Sequence, residues 1–258
     1  MSEIEPPELL TVIRRVQKRS LNTAQRALTM VKFIYKLGIV TGRAQRNPAL
    51  DLIGMLPRGK TTHHAAVINP DEFGRLLVKL DDSKASFPVA CALRLLPLLF
   101  CRPGELREMR WCEVDFERAE WSFFVTKTQV EHRAPLSSQA ISILEELQKL
   151  TGRFERVFVA RQCGSSISGN TLNAALRAVG VNTKIEHTGH GFRASARTML
   201  AERLMIPPHI IEHQLAHAVS DALGQAYNRT MYITERREMM QRWADYCDEL
   251  KRAAIEHT

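Results

Sequence analysis

Paired cysteines, long apolar runs, aromatic residues and acidic residues are all in short supply in this 258-residue chain. The five cysteines (Cys91, Cys101, Cys112, Cys163 and Cys247) are odd in number and never spaced C-x-x-C. That argues against a disulfide framework or a zinc ribbon and fits a reducing cytoplasm. No stretch approaches the ~18 to 20 apolar residues of a membrane span, so no membrane partner is expected. The opening residues, Met1 to Pro7, lack the basic and apolar regions of a secretory signal. No internal repeat or low-complexity tract is visible. Tyrosine occurs only four times, at Tyr35, Tyr227, Tyr232 and Tyr246. Acidic residues number 28 against 36 lysines and arginines, a net charge of +8. The excess sits at one end: residues 1–60 hold 11 basic and 4 acidic residues, and the rest is nearly balanced. A basic end points to a polyanion, although a solvated basic helix face reads the same way.

What is present is a helical pattern punctuated by proline and asparagine. Pro6-Pro7 opens a helix with Leu9, Leu10, Ile13 and Val16 on one stripe and Arg14, Arg15, Lys18 and Arg19 mostly off it. Asn22 is expected to cap a second helix carrying Leu28, Val31, Ile34 and Tyr35. The sequence Asn47-Pro48 closes that region. Residues 56–68 read as a basic linker. Asn69 is expected to cap a helix with Phe73, Leu76, Leu77 and Leu80 inward. An apolar helix over 87–100, kinked at Pro97, stops at Pro103-Gly104. The period then falls towards two, with strands at 114–116, 121–125 and 133–136 and a loop at 126–129 between the last two. Helices return at 138–150, 170–179, 191–204, 208–215 and 234–250. The fold class is mainly α with a small antiparallel sheet (α+β). The expected division is a helical region over 1–55, a linker over 56–68 and a larger domain over 69–258. The candidate polyanion contacts are Arg14, Arg15, Lys18, Arg19, Arg26, Lys32 and Lys60.

The chemistry-bearing residues lie in the larger domain. Arg102 precedes Glu105 by three residues at a helix junction, where a carboxylate can hold a guanidinium and leave its other edge for a phosphate. A surface arginine in a turn is the plainer reading. His190 and Arg193 share a helical face, near a helix start whose positive end favours an anion. A packed histidine beside a chance arginine has the same spacing. Lys127 falls in a turn, as a reaching proton donor or a solvated lysine, with His132 just beyond it. Tyr227 has polar neighbours, as a presented phenol does, whereas Tyr35 and Tyr246 sit on packing stripes. His209, His213 and His217 form an i, i+4, i+8 ladder, but without the glutamate of H-E-x-x-H or a clear further ligand no metal is expected.

Taken in order, Arg102-Pro-Gly-Glu105, Lys127, His190-x-x-Arg193, Leu215-Ala-His217 and Tyr227 closely resemble the tyrosine recombinase (phage integrase) family. Residues 103–111, 127–137, 226–229 and 240–246 resemble integrases of satellite phages and genomic islands. The resemblance implies that Arg102 and Arg193 grip the scissile phosphate, with His190 and His217 hydrogen-bonding to it. His190 would be the base, Lys127 would protonate the leaving 5′-oxygen, and Tyr227 would form a 3′-phosphotyrosyl bond. Glu105 would orient Arg102, with His132 in support. That bond retains the phosphodiester energy, so no cofactor is implied. The implied partners are double-stranded DNA attachment sites, with a monomer alone and a tetramer on paired DNA, in the bacterial cytoplasm at the nucleoid. The implied reaction is site-specific integration of a prophage or genomic island. The chain starts where the family's core-binding domain is already half complete, so the resemblance implies a partial core-binding domain before the catalytic one. The alternative is a remnant that binds DNA without productive recombination.

Overall fold

The computed structural model describes residues 4–57, 64–126, 129–160, 165–216 and 232–256. Two compact units divide the chain, Met1–His63 and His64–Thr258.

In the first unit, α1 (Pro6–Gln17) and α2 (Leu21–Val40) pair through Leu9, Ile13, Ala24 and Leu28, closed by Ala49 and Leu52 from the following turns. The cap of α2 is Ser20 and not Asn22: the Ser20 hydroxyl accepts from the Thr23 amide at 3.3 Å. Ser20 is extended, as N-caps typically are, while Asn22 is already inside the first turn. Ile34, expected on the inward stripe, is exposed, because Leu28, Tyr35 and Gly38 define the buried line of α2.

The second unit is built around α4 (Phe87–Leu99), which is apolar on nearly every side and buried accordingly. Before it comes α3 (Pro70–Asp81), where Asn69 Oδ1 accepts from the amides of Asp71 and Glu72. After it come α5 (Pro103–Glu108) and a sheet of β1 (Val114–Asp115), β2 (Glu120–Val125) and β3 (Val130–Pro135), ordered 1-2-3 and antiparallel. The third strand starts at Val130, three residues before its apolar signal, because residues 130–132 pair with Phe123 to Val125. The helices α6 (Ser138–Thr151), α7 (Thr171–Ala178), α8 (Gly191–Glu202), α9 (Pro208–Gln214) and α10 (Ile233–Glu256) complete the unit. α10 runs six residues past Leu250, where its apolar stripe was expected to end. Trp243 on α10 is fully buried, donates from Nε1 to the carbonyl of Pro97 at 2.9 Å, and ties α10 to the last turn of α4.

Residues 64–68, part of the expected linker, are docked onto the second unit. The Ala65 carbonyl accepts from the Thr188 amide at 3.1 Å, and the Val67 amide donates to His187 Nδ1 at 3.0 Å. Gly191 permits this approach, since a Cβ there would lie 2.4 Å from the Ala65 oxygen. Among the described residues, no helix is long and apolar enough to cross a membrane.

Candidate active site

The site begins where α4 ends. Phe100 caps the helix in the left-handed region (φ 34°, ψ 34°), a conformation costing a bulky residue roughly 1–2 kcal/mol. Complete burial and an edge-on contact with Trp243 (6.2 Å) hold it there. The reversal leads directly to Arg102 at the N-cap of α5. Glu105 fixes that arginine twice: Oε2 accepts from the Arg102 amide at 2.9 Å and Oε1 accepts from Nη1 at 2.7 Å. Both side chains are largely screened from solvent, so this charge-assisted pair holds the guanidinium more firmly than a surface pair does.

The second cation arrives from α8. Arg193 donates from Nη1 to the Phe100 carbonyl at 3.1 Å and from Nη2 to the Leu215 carbonyl at 2.8 Å. The strained cap of α4 and the end of α9 therefore orient its guanidinium together. Burial lowers the Arg193 pKa and the Arg102 charge lowers it further, while Glu105 works in the opposite sense. Gly189 sits against Pro103, where a Cβ would come within 3.1 Å of the ring, and its amide donates to Asn173 Oδ1 at 2.9 Å. That packing sets His190, the N-cap of α8, beside the start of α5. The His190 pKa is lowered by burial, then by His64, Arg193 and Arg102, with Glu105 opposing. His190 is thereby biased to the neutral form, which can accept a proton.

His132 on β3 lies beneath this cluster, buried and edge-on to Phe123 at 5.5 Å. Burial first, then the charges of Arg236, Arg193 and Arg102, push its pKa down to about 3; a hydrogen bond with the Gln214 backbone opposes them. Three guanidinium groups thus bear on one neutral imidazole, a concentration of positive potential that an anionic ligand would relieve.

Arg102, Glu105, His190, Arg193 and His132 are brought together from widely separated stretches of sequence. Lys127, His217, Tyr227 and Lys60 lie outside the described residues. Arg14, Arg15, Lys18, Arg19 and Arg26 are exposed on the first unit, and Lys32 is half-buried there. Among the described residues, no group of three or more His, Cys, Asp or Glu side chains is placed to hold a metal. His209 and His213 instead flank the ring of Tyr232, at 4.9 and 5.2 Å.

Sequence reasoning missed Arg236. It is 1% exposed, donates from Nε and Nη2 to Gln214 Oε1 at 2.9 and 2.7 Å, and also bonds the Arg133 carbonyl. Its signal was present: Arg236 lies three, four and seven residues before Met239, Met240 and Trp243, on the buried stripe of α10. His187, buried against Phe192 and Phe73, carried no such signal.

Comparison with known proteins places these residues in context. Residues 66–232 match the model described as the phage integrase family, and residues 1–55 match the phage integrase central domain. The integrase of Enterobacteria phage P4 is 34% identical over 263 residues, covering 95% of this chain and 60% of that protein. The chain therefore spans less than two thirds of that relative's length. A lambda integrase dimer bound to a COC′ core site aligns with a TM-score of 0.63 at 16% identity, covering 85% of this chain and 81% of the other. A lambda integrase tetramer bound to a Holliday junction aligns at 0.64 and 16%, covering 88% and 68%. At that identity the likeness is one of fold, a mainly helical recombinase domain with a small antiparallel sheet.

Proposed function

The chain belongs to the phage integrase family, and from that premise we propose that it cuts and rejoins DNA at a specific site through a phosphotyrosyl intermediate. The observation that carries the proposal is the convergence of two independently anchored guanidiniums, Arg102 on Glu105 and Arg193 on two carbonyls, beside the low-pKa His190. Preorganised donors of this kind stabilise the charge that develops on a phosphate under attack.

In this reading Arg102 and Arg193 hold the non-bridging oxygens. His190 takes the proton of Tyr227 as the phenolic oxygen attacks phosphorus. The phosphorus–O5′ bond breaks, Lys127 protonates the leaving 5′-oxygen, and a second strand's 5′-hydroxyl later reverses the step. His217 donates to the same phosphate, Glu105 orients Arg102, and His132 supports the cluster from below. The free energy of the broken ester is kept in the tyrosyl ester, so the reaction calls for no cofactor. Residues 1–55 act as part of a core-binding domain joined through 56–68 to a catalytic domain over 69–258. Arg14, Arg15, Lys18, Arg19, Arg26, Lys32 and Lys60 contact DNA phosphates. The protein works as a monomer when free and as a tetramer on paired attachment sites, at the nucleoid in the bacterial cytoplasm.

The test uses nicked duplexes tiled across the DNA on either side of the reading frame. One of them is expected to trap a covalent protein–DNA adduct, and Tyr227→Phe is expected to abolish the adduct while leaving binding intact. Salt-sensitive binding without any adduct would overturn the recombinase reading and favour a DNA-binding remnant.

A further inference from the structure

The ring of His64 lies parallel to that of His190, with centroids 4.7 Å apart and planes inclined by 18°. We propose that His64 is a positioning residue for His190, covering one face of its imidazole and fixing the plane in which the ring nitrogens meet the phosphate. The proposal rests on the recombinase reading of the site.

The placement of His64 follows from the three residues after it. The Ala65 carbonyl accepts from Thr188, the Val67 amide donates to His187, and the Val67 carbonyl accepts from the Ser195 hydroxyl. The missing side chain of Gly191 lets the Ala65 backbone reach the first turn of α8. All of these partners flank His190 in sequence. The backbone that carries His64 and the turn that carries His190 are therefore locked together, and the two rings are brought into register.

His64 is itself exposed, so core packing does not account for its position. A parallel ring covers a face of His190 and not its edge, and His190 remains exposed to solvent. A stacked imidazole also disfavours a second proton nearby, since two imidazolium ions would repel at this separation. The charged groups bearing on His190 are Arg193 from α8, Arg102 and Glu105 from the α4–α5 junction, and His64 from the entering segment. Of these, His64 is the one whose ring stacks on that of His190.

The experiment uses the full chain as wild type, His64→Ala and His64→Phe. Histidine imidazoles are titrated by NMR, with His190→Gln supplying the assignment, and adduct formation on the nicked duplexes is followed against pH. In His64→Ala the His190 midpoint is expected to rise towards the ordinary histidine range. The acid limb of cleavage should rise with it, and the rate should fall roughly ten- to a hundredfold at unchanged DNA affinity. His64→Phe keeps the stack but not the charge, so its His190 midpoint is expected to rise as in His64→Ala while most of the rate above that midpoint is kept. An unshifted His190 midpoint in His64→Ala would overturn the proposal, as would a His64→Phe protein whose rate falls as far as that of His64→Ala. If the wild type forms no adduct, the recombinase reading falls, while the NMR titration still decides whether His64 controls His190.

Discussion

Arg236 and Gln214 make an asymmetric pair, and the asymmetry sets the order of their mutational effects. Arg236→Met removes a guanidinium whose pKa burial pushes down to about 10 from 12.5, so roughly 3 kcal/mol of desolvation is recovered. It also strips donors from Gln214 Oε1 and the Arg133 carbonyl, at about 1–3 kcal/mol for each buried acceptor left unpaired. These effects nearly cancel, leaving a net loss of about 1–2 kcal/mol once imperfect packing is included. Gln214→Leu is the harsher change, because the charge stays buried and loses its side-chain acceptor, at about 3–5 kcal/mol. The double variant Arg236→Met/Gln214→Leu removes charge and acceptor together and is expected to recover most of that loss. Urea unfolding followed by the fluorescence of buried Trp121 and Trp243 reads all three. With a slope of roughly 2–3 kcal/mol/M, Gln214→Leu should lower the midpoint by about 1–2 M. A more damaging Arg236→Met, or additive losses in the double variant, would contradict this asymmetry.

Other outcomes follow from the same contacts. His132 and His187 have folded pKa values pushed down to about 3 and about 4. Both stay neutral in the folded state while the unfolded chain takes up protons below about 6.5, so stability is full above that pH and falls as pH drops towards 4. The loss approaches roughly 1.4 kcal/mol per pH unit for each histidine, and equilibrium unfolding of His187→Phe between pH 7 and 4.5 should show a shallower slope. Glu105→Gln keeps one acceptor for Arg102 but removes the charge; adduct formation should slow about tenfold or more with little change in DNA affinity, measured by single-turnover cleavage and binding. Gly191→Ala drives a methyl group into the Ala65 carbonyl and should cost about 1–3 kcal/mol in thermal or urea unfolding.

The legible parts of this fold were those governed by local rules. Asn69-Pro70 marked a helix start because cap and N1 chemistry are both encoded within two residues. The sheet showed through its period of two, although β3 began earlier than its apolar residues because Glu131 faces solvent and breaks the hydrophobic signal. Ser20 was overlooked because Ser20 and Asn22 are both good caps, and only the backbone angle decides between them. At the site, Arg102 with Glu105 and His190 with Arg193 were readable because each pair is three residues apart. The support beneath them was not. The carbonyls of Phe100 and Leu215 that hold Arg193 have no side-chain signature. The docking of Ala65 to Val67 on α8 and the turn before it spans 120 residues or more. Arg236 was hidden because a charged residue on an apolar stripe is ordinarily assigned to the surface, and its burial depends on partners from α9 and β3.

In the proposed reaction one tyrosine of this chain becomes bonded to DNA at a phosphate held by Arg102 and Arg193. The most direct measurement is mass spectrometry of the peptide–nucleotide product after protease and nuclease digestion of the trapped adduct. The expected product carries a 3′-phosphate on Tyr227 and a free 5′-hydroxyl on the released strand, and Arg102→Ala or Arg193→Ala should give no adduct. A bond to any other residue, a 5′-linked phosphate, or an unchanged adduct without both arginines would contradict the proposed reaction.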